Sequence, residues 1–266
     1  MNSLERFSDR ATDYAKYRPS YPTAAIDRIL EGLNNPLVAA DIGAGTGISS
    51  RLLAERGVRV LAIEPNADMR EAAASHPLVE FFDSTAEKTG IAEASIDLVT
   101  CFQSFHWFDR KPTVAEFRRI LKPSGRLALV WNQDDASDKF TIDCTRLIFR
   151  LSFPNPLDRL VKKVILLPSK LIQSWYDWQL FRLLRSYNFA NIRSYEFAYK
   201  QELDLYGLIG LARSQSFVPL SESVQQRLVS GLGELCDRCG DENGKVSLAY
   251  KTIVYIAQVS ERLQKE

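Results

Sequence analysis

Between residues 37 and 130 the apolar positions gather into short runs separated by amphipathic stretches. Runs at 37–42, 58–63, 79–82, 96–101 and 126–130 are nearly continuous and of strand length. Between the first two, 48–56 places Ile48, Leu52 and Leu53 on one side of a helix that stops at Gly57. Asn66 is placed to cap a helix through Ala74 with Met69, Ala72 and Ala73 inward. Residues 111–121 repeat the helical spacing at Val114, Phe117, Ile120 and Leu121, and Pro123-Ser124-Gly125 turns the chain into the fifth run. Buried strands alternating with helices predict an α/β fold, a parallel sheet covered on both faces.

The flanks are less regular. Tyr17-Arg18-Pro19-Ser20-Tyr21-Pro22 reads as a hinge, because each proline bars helix from the residue before it. Thr23 then caps a helix to Leu33 with Ile26, Ile29 and Leu30 inward. Beyond 131, segments 137–153 and 174–186 look helical. Segments 192–200 and 246–257 read as strands, and helices near 203–213 and 221–239 lie between them. The division expected is one domain over 1–266. It comprises an N-terminal lid (1–36), a cofactor-binding core (37–131), cap inserts (132–175 and 201–245) and two closing strands (192–200 and 246–257).

Composition narrows the classes. A hydrophobic share of 45% supports a packed core. Net charge is +1, so no global field draws the chain to nucleic acid or to an anionic membrane. No run approaches the roughly 18 apolar residues of a spanning helix, and residues 1–10 lack the apolar region of a signal peptide. Four cysteines fit reduced thiols, so a cytoplasmic protein without membrane or nucleic-acid partners is expected. Cys236-Asp237-Arg238-Cys239 has the spacing of half a zinc site but no second pair, and reads as helix surface. Arg182, Arg185, Lys162 and Lys163 read as a solvated face.

The chemistry concentrates at Asp41-Ile42-Gly43-Ala44-Gly45-Thr46-Gly47, which follows a strand and opens a helix. Glycines there allow a sharp turn and let a ligand approach the main chain, while the helix start offers free N–H groups. Glu64 ends the second strand, where a carboxylate can take both ribose hydroxyls of a nucleoside. The Gly-x-Gly-x-Gly spacing differs from the dinucleotide fingerprint. It suits a ligand carrying a nucleoside and an amino acid.

The loop, with Ala62-Ile63-Glu64-Pro65, resembles the first two motifs of the class I S-adenosylmethionine-dependent methyltransferases. The small-molecule group that includes the trans-aconitate methyltransferases is the most similar. Thr85-Ala86-Glu87, Phe102 to Phe108 and Ile120 to Gly125 extend the resemblance, which is strong over Val38–Trp131. It implies a Rossmann-like fold of seven strands, mostly parallel with the last antiparallel, and S-adenosyl-L-methionine as cofactor. It also implies roles. Asp41 and Gly43 would hold the cofactor's amino-acid end, Gly45 would line its back wall, and Gly47, at the start of the helix, would also contact the cofactor. Glu64 would bind ribose, Pro65 and Met69 would flank adenine, and Thr85 and Ala86 would meet its edge. An aspartate is common at the position of Thr85, so Asp83 or Glu87 is the alternative partner for the adenine amine.

On the acceptor side, Gln103 follows the fourth strand, where the resemblance places the reacting methyl. His106, one of two histidines, is the candidate base, with packing beneath the cofactor as the competing role. Tyr17 and Arg18, in a lid mixing aromatics with cations, are placed to reach the cofactor's carboxylate. The inserts carry Phe140, Phe149, Phe153, Trp175 and Phe217, with Ser214, Gln215 and Ser216 as polar groups for a small-molecule acceptor. Methyl transfer to a carboxylate or hydroxyl is the leading reading. An NAD(P)-dependent oxidoreductase, a non-catalytic cofactor-binding protein and a cyclopropane-forming relative are the alternatives.

Overall fold

The computed structural model describes residues 8–34, 36–153, 155 and 170–260, with side chains for all of these except 170–176. Lys162, Lys163 and the side chain of Trp175 lie outside that set. Among the described residues seven strands form one sheet. They are β1 (Val38–Ile42), β2 (Arg59–Ile63), β3 (Val79–Phe82), β4 (Ile96–Phe102), β5 (Leu121–Asp134), β6 (Phe189–Leu203) and β7 (Val246–Val259). Their spatial order is β3-β2-β1-β4-β5-β7-β6. The first five are parallel, and β7 pairs antiparallel with β5 and with β6. The Rossmann-like architecture, with its last strand reversed, is therefore the one the family resemblance implies. The order reverses between β1 and β4, the point at which open α/β sheets bind ligands.

Period-two alternation sends successive side chains to opposite faces. Ala40, Ile42, Val99, Cys101, Leu127 and Leu129 pack on one face, against Val114, Phe117 and Ile120 of α5 (Arg110–Ile120) and Leu184 of a long helix, Lys170–Ser186. Ala39, Leu98, Phe102, Ala128 and Val130 face the other way. They meet Ile26 and Ile29 of α2 (Thr23–Leu30) and Leu53 and Ala54 of α3 (Ile48–Ala54). α1 (Ala11–Tyr17) precedes these, and α4 (Ala67–Glu71) follows β2. A third cluster joins α6 (Lys139–Ser152), α8 (Leu205–Arg213) and α9 (Glu222–Cys239) to Val246, Leu248 and Tyr250 of β7. The helix Lys170–Ser186, α7, lies between α6 and β6 in the chain.

Boundaries differ from expectation where tertiary contacts decide them. Pro22, not Thr23, is the N-cap of α2: its carbonyl accepts from Ala25 and Ile26 at 2.9 and 3.4 Å. The helix stops at Leu30, just before Gly32 at φ +74°. α4 ends three residues early, and of its expected inward residues Met69 alone is fully buried. β5 begins at Leu121 rather than Arg126. Its pairing with β4 jumps from Ile96↔Leu121 to Leu98↔Arg126, so Lys122–Gly125 bulges out with Ser124 at φ +62°.

The chain between β3 and β4, which reaches the ligand end of the sheet, is anchored by one carboxylate. Glu116 of α5 accepts from the Thr89 amide (2.9 Å) and hydroxyl (2.6 Å) and pairs with Arg119 at 2.7 Å. Burial works to raise its pKa, but Arg119 and Thr89 outweigh it and hold the carboxyl at about 2. A depressed carboxyl contributes stability that is present above its unfolded pKa and lost as pH falls through its folded value. Thermal unfolding from pH 5 to 2.5 is therefore expected to show a stability loss that is smaller in Glu116→Gln than in the wild type. At pH 7 the substitution is expected to cost about 1–3 kcal/mol.

Candidate active site

Asp41, at the end of β1, is wholly buried. Its Oδ2 accepts from the hydroxyls of Ser49 (2.6 Å) and Ser50 (2.7 Å) on α3, and its Oδ1 from Thr100 on β4 (2.8 Å). Burial pushes its pKa up and the three hydroxyls pull it back. The glycine loop thus turns around a carboxylate held from three sides.

Gly43, Gly45 and Gly47 have φ of +67°, +57° and +71°, the left-handed region that penalises a Cβ. At Gly43 an added Cβ would lie 2.6 Å from Ser104 Cβ and 2.9 Å from the Phe108 ring. That absence lets the turn after β4 pack on the loop, where Ser104 donates to the Ile42 carbonyl at 2.6 Å. Beside it, Glu64 ends β2. Its two oxygens accept from the amides of Gly45 and Asn66, each at 2.9 Å. Burial raises its pKa, and these amides oppose the shift. Asn66 in turn caps α4 by accepting from the Met69 amide at 3.0 Å.

These elements wall a cavity of about 480 Å³, inside the range of small-molecule sites. Glycine loop, β2 end and Thr85–Glu87 form one side. Phe102–Ser104, His106–Phe108 and Asn132 form another, Tyr14, Arg18 and Tyr21 a third, and Gln215–Phe217 close it. Two polar atoms of the wall are buried without a partner, Thr46 Oγ1 and Arg18 Nε. Such groups cost free energy unless a ligand or water pairs with them.

Residues 40–129 match the methyltransferase domain family. A methyltransferase-like protein of Schizosaccharomyces pombe is 26% identical over 96% of both chains. This chain is an S-adenosylmethionine-dependent methyltransferase. Its fold resembles a candidate type II methyltransferase from Anaeromyxobacter dehalogenans (TM-score 0.66, 21% identity, 92% of this chain and 100% of that one). It also resembles phosphoethanolamine N-methyltransferase 2 of Haemonchus contortus bound to phosphomonomethylethanolamine and S-adenosylhomocysteine (TM-score 0.56, 15% identity, 97% and 59%).

The cavity of the methyltransferase suits its cofactor. Glu64 uses two of its roughly four acceptor positions on amides, leaving capacity for hydroxyls. The glycine main chain is open, and the orphaned Thr46 and Arg18 atoms want polar partners. Of the residues singled out from sequence, Arg18, Gly43, Gly45, Glu64, Pro65, Met69, Thr85, Ala86, Gln103 and His106 line the wall.

Three residues expected to contact the cofactor are not among those that line the cavity. Asp41 is sealed behind the loop by its hydroxyl partners. Gly47 is outside the lining, and a Cβ there would meet the Phe81 ring at 3.0 Å. Tyr17 turns away and packs its ring on Gly210 of α8. Both alternative acids for the adenine amine have other partners. Asp83 pairs with Arg70 at 3.1 Å, and Glu87, still on the wall, accepts from the Asp109 amide at 3.1 Å at the start of α5. Asn66 and Asn132 carry no motif signal of their own, yet both line the site.

His106 lines the cavity and is exposed to solvent. Loss of water to its packed neighbours, with repulsion from Arg110, lowers its pKa to about 4. Its Nδ1 accepts from the Trp131 indole at 3.4 Å, so in the neutral ring the proton sits on Nε2. Gln103 has φ +53° and donates from Nε2 to the Asn132 carbonyl at 2.7 Å, leaving its Oε1 as an acceptor. Gly43→Ala is expected to weaken S-adenosylhomocysteine binding at least about tenfold and to cost about 1–3 kcal/mol of stability, because it combines left-handed strain with a clash on Ser104. Isothermal calorimetry and thermal melts check both.

Proposed function

We propose that this methyltransferase modifies a small-molecule acceptor through a carboxylate or hydroxyl oxygen, in a cavity closed by its N-terminal segment and its cap. The observation that carries this is the cavity itself. One half is glycine main chain and Glu64, and the other is Gln103, Asn132 and the aromatic rings of Tyr21, Phe102 and Phe217. Of the expected lid (1–36) and cap inserts (132–175 and 201–245), the described residues 8–34, 132–153 and 201–245 serve as the lid and as the part that selects the acceptor; residues 1–7 and 156–169 lie outside the described residues.

The bound cofactor supplies an electrophilic methyl group on a sulfonium that leaves as a neutral thioether. Glu64 binds the ribose hydroxyls, Pro65 and Met69 flank adenine, and Thr85 with the Ala86 backbone meets its edge. Gly43 and Gly45 accommodate the amino-acid end, and Arg18 pairs with its carboxylate. In this reading Asp41 shapes the loop and Tyr17 holds the lid, neither touching ligand. Gln103, fixed by Asn132, orients the acceptor with its Oε1. Alignment and exclusion of water carry the catalysis.

No general base is assigned. At neutral pH a histidine with a pKa of about 4 is almost wholly unprotonated but a feeble proton acceptor, and Nε2–H makes His106 a donor. A carboxylate nucleophile needs no base. Free cysteines, three of them buried, fit a reducing compartment, and we place the protein in the cytoplasm. No helix among the described residues is long and apolar enough to cross a membrane.

Glu64→Ala is expected to weaken S-adenosylhomocysteine binding about tenfold or more, and the wild type to be stabilised thermally by S-adenosylhomocysteine and not by NADH. The reverse thermal pattern would restore the oxidoreductase reading. A screen of carboxylates, phenols, alcohols, amines and lipids with labelled cofactor identifies the acceptor. With that acceptor, His106→Asn is expected to keep the wild-type shape of kcat/KM between about pH 5.5 and 8. An ionisation lost from that profile would make His106 the base.

A further inference from the structure

The N-terminal segment touches both halves of the cavity within three residues. Ser8 accepts at its hydroxyl from the Asn66 amide group at 3.1 Å, and the Asn66 backbone amide is one of the two that hold Glu64. Two residues later, Arg10 donates from one guanidinium nitrogen to three carbonyls, those of Arg213 (3.0 Å), Gln215 (2.6 Å) and Val218 (3.0 Å). These carbonyls belong to the end of α8 and the turn after it. A helix end leaves carbonyls without partners and carries partial negative charge, so a cation is favoured there.

Gln215 and Val218 bracket Ser216 and Phe217, and Gln215, Ser216 and Phe217 line the same cavity as the glycine loop. A second contact fixes the same two pieces. An added Cβ on Gly210 would lie 2.1 Å from the Tyr17 ring, so α1 and α8 meet at a distance that only glycine permits. The Tyr17 carbonyl also accepts from Gln201 of β6 at 2.9 Å. The segment therefore runs from the Glu64 turn to the cap loop as one stapled piece.

We propose that Arg10 is a positioning residue that transmits cofactor occupancy to the acceptor wall, so that the 214–218 loop becomes ordered for an acceptor when the cofactor half is filled. This rests on the reading that the Glu64 half holds the cofactor. It predicts an ordered enzyme, cofactor first. Ligand pressing on Glu64 and Asn66 steadies Ser8, Ser8 steadies Arg10, and Arg10 steadies both flanks of the acceptor loop. Arg10 touches neither ligand in this scheme.

Hydrogen–deuterium exchange on the full chain, with S-adenosylhomocysteine as the probe, tests it. In the wild type, the probe is expected to slow exchange at 43–47, at 64–69 and, about tenfold, at 210–218. Arg10→Met is expected to bind the probe within about threefold of wild type and keep protection at 43–47 and 64–69, but to lose it at 210–218. Arg10→Lys is expected to restore part of it. If Arg10→Met does not fold, Ser8→Ala, which removes only the hydroxyl held by Asn66, is expected to show the same selective loss. Protection at 210–218 that survives in a folded Arg10→Met or Ser8→Ala protein overturns the proposal. So does a wild type protected at 43–69 and unchanged at 210–218, which leaves the cofactor site standing. No protection at 43–69 at all removes the cofactor placement and the coupling together.

Discussion

A single buried carboxylate organises the ligand end of the sheet. Asp41 closes β1 and accepts three hydroxyls, two from the first turn of α3 and one from β4. An ionised group in that position would be costly if any partner were lost, because a buried carboxylate without hydrogen bonds is penalised by far more than its bonds return. Its partners lie on the elements that flank the switch point, so the glycine loop inherits their positions. The left-handed glycines, the close packing of Ser104 and Phe108 on Gly43, and the grip of Glu64 on the Gly45 amide all follow from where that loop begins.

Two carboxylates on adjacent strands thus do different work. Asp41 spends its acceptor capacity inside the protein, while Glu64 spends part of it on the main chain and keeps a face on the cavity. Neither has a lysine or arginine as a direct ion-pair partner among the described residues, and both are held by hydrogen bonds instead. That choice leaves Arg18 as the cation on the cavity wall, with its Nε unpaired. An ion pair to either acid would have consumed it.

Local signals in the chain carried most of the fold. The core strands stand where the apolar runs are, and the glycine loop, Glu64 and the β4 turn meet around one cavity as their order along the chain suggests. What was not legible acts over distance. Nothing in the neighbourhood of Asp41 shows that Ser49, Ser50 and Thr100 converge on it, since Thr100 is 59 residues away. A motif acid at a strand end reads as ligand-facing until the hydroxyls behind it are seen. Tyr17 reads as a lid aromatic, and only Gly210 shows which way it turns. Arg10 carries no motif at all, and its three acceptors lie more than 200 residues along the chain. The bulge at Lys122–Gly125 was hidden by its own turn chemistry, which reads as a strand boundary rather than an interruption.

The reversed strand has a kinetic side. β7 lies between β5 and β6 and is made after both, so neither can complete its ladder until residues 246–259 are available. Until then β5 shows an open edge, and β6, fifteen residues long, has no partner in the sheet. The parallel part can assemble from nearer contacts in the meantime. Pairings of long sequence separation form late, and the newly made chain spends that interval with these hydrogen-bonding edges exposed, the condition in which strands are captured by other chains. The alternating charges of β6, Arg193, Glu196, Lys200 and Glu202, are the kind of edge chemistry that discourages such capture.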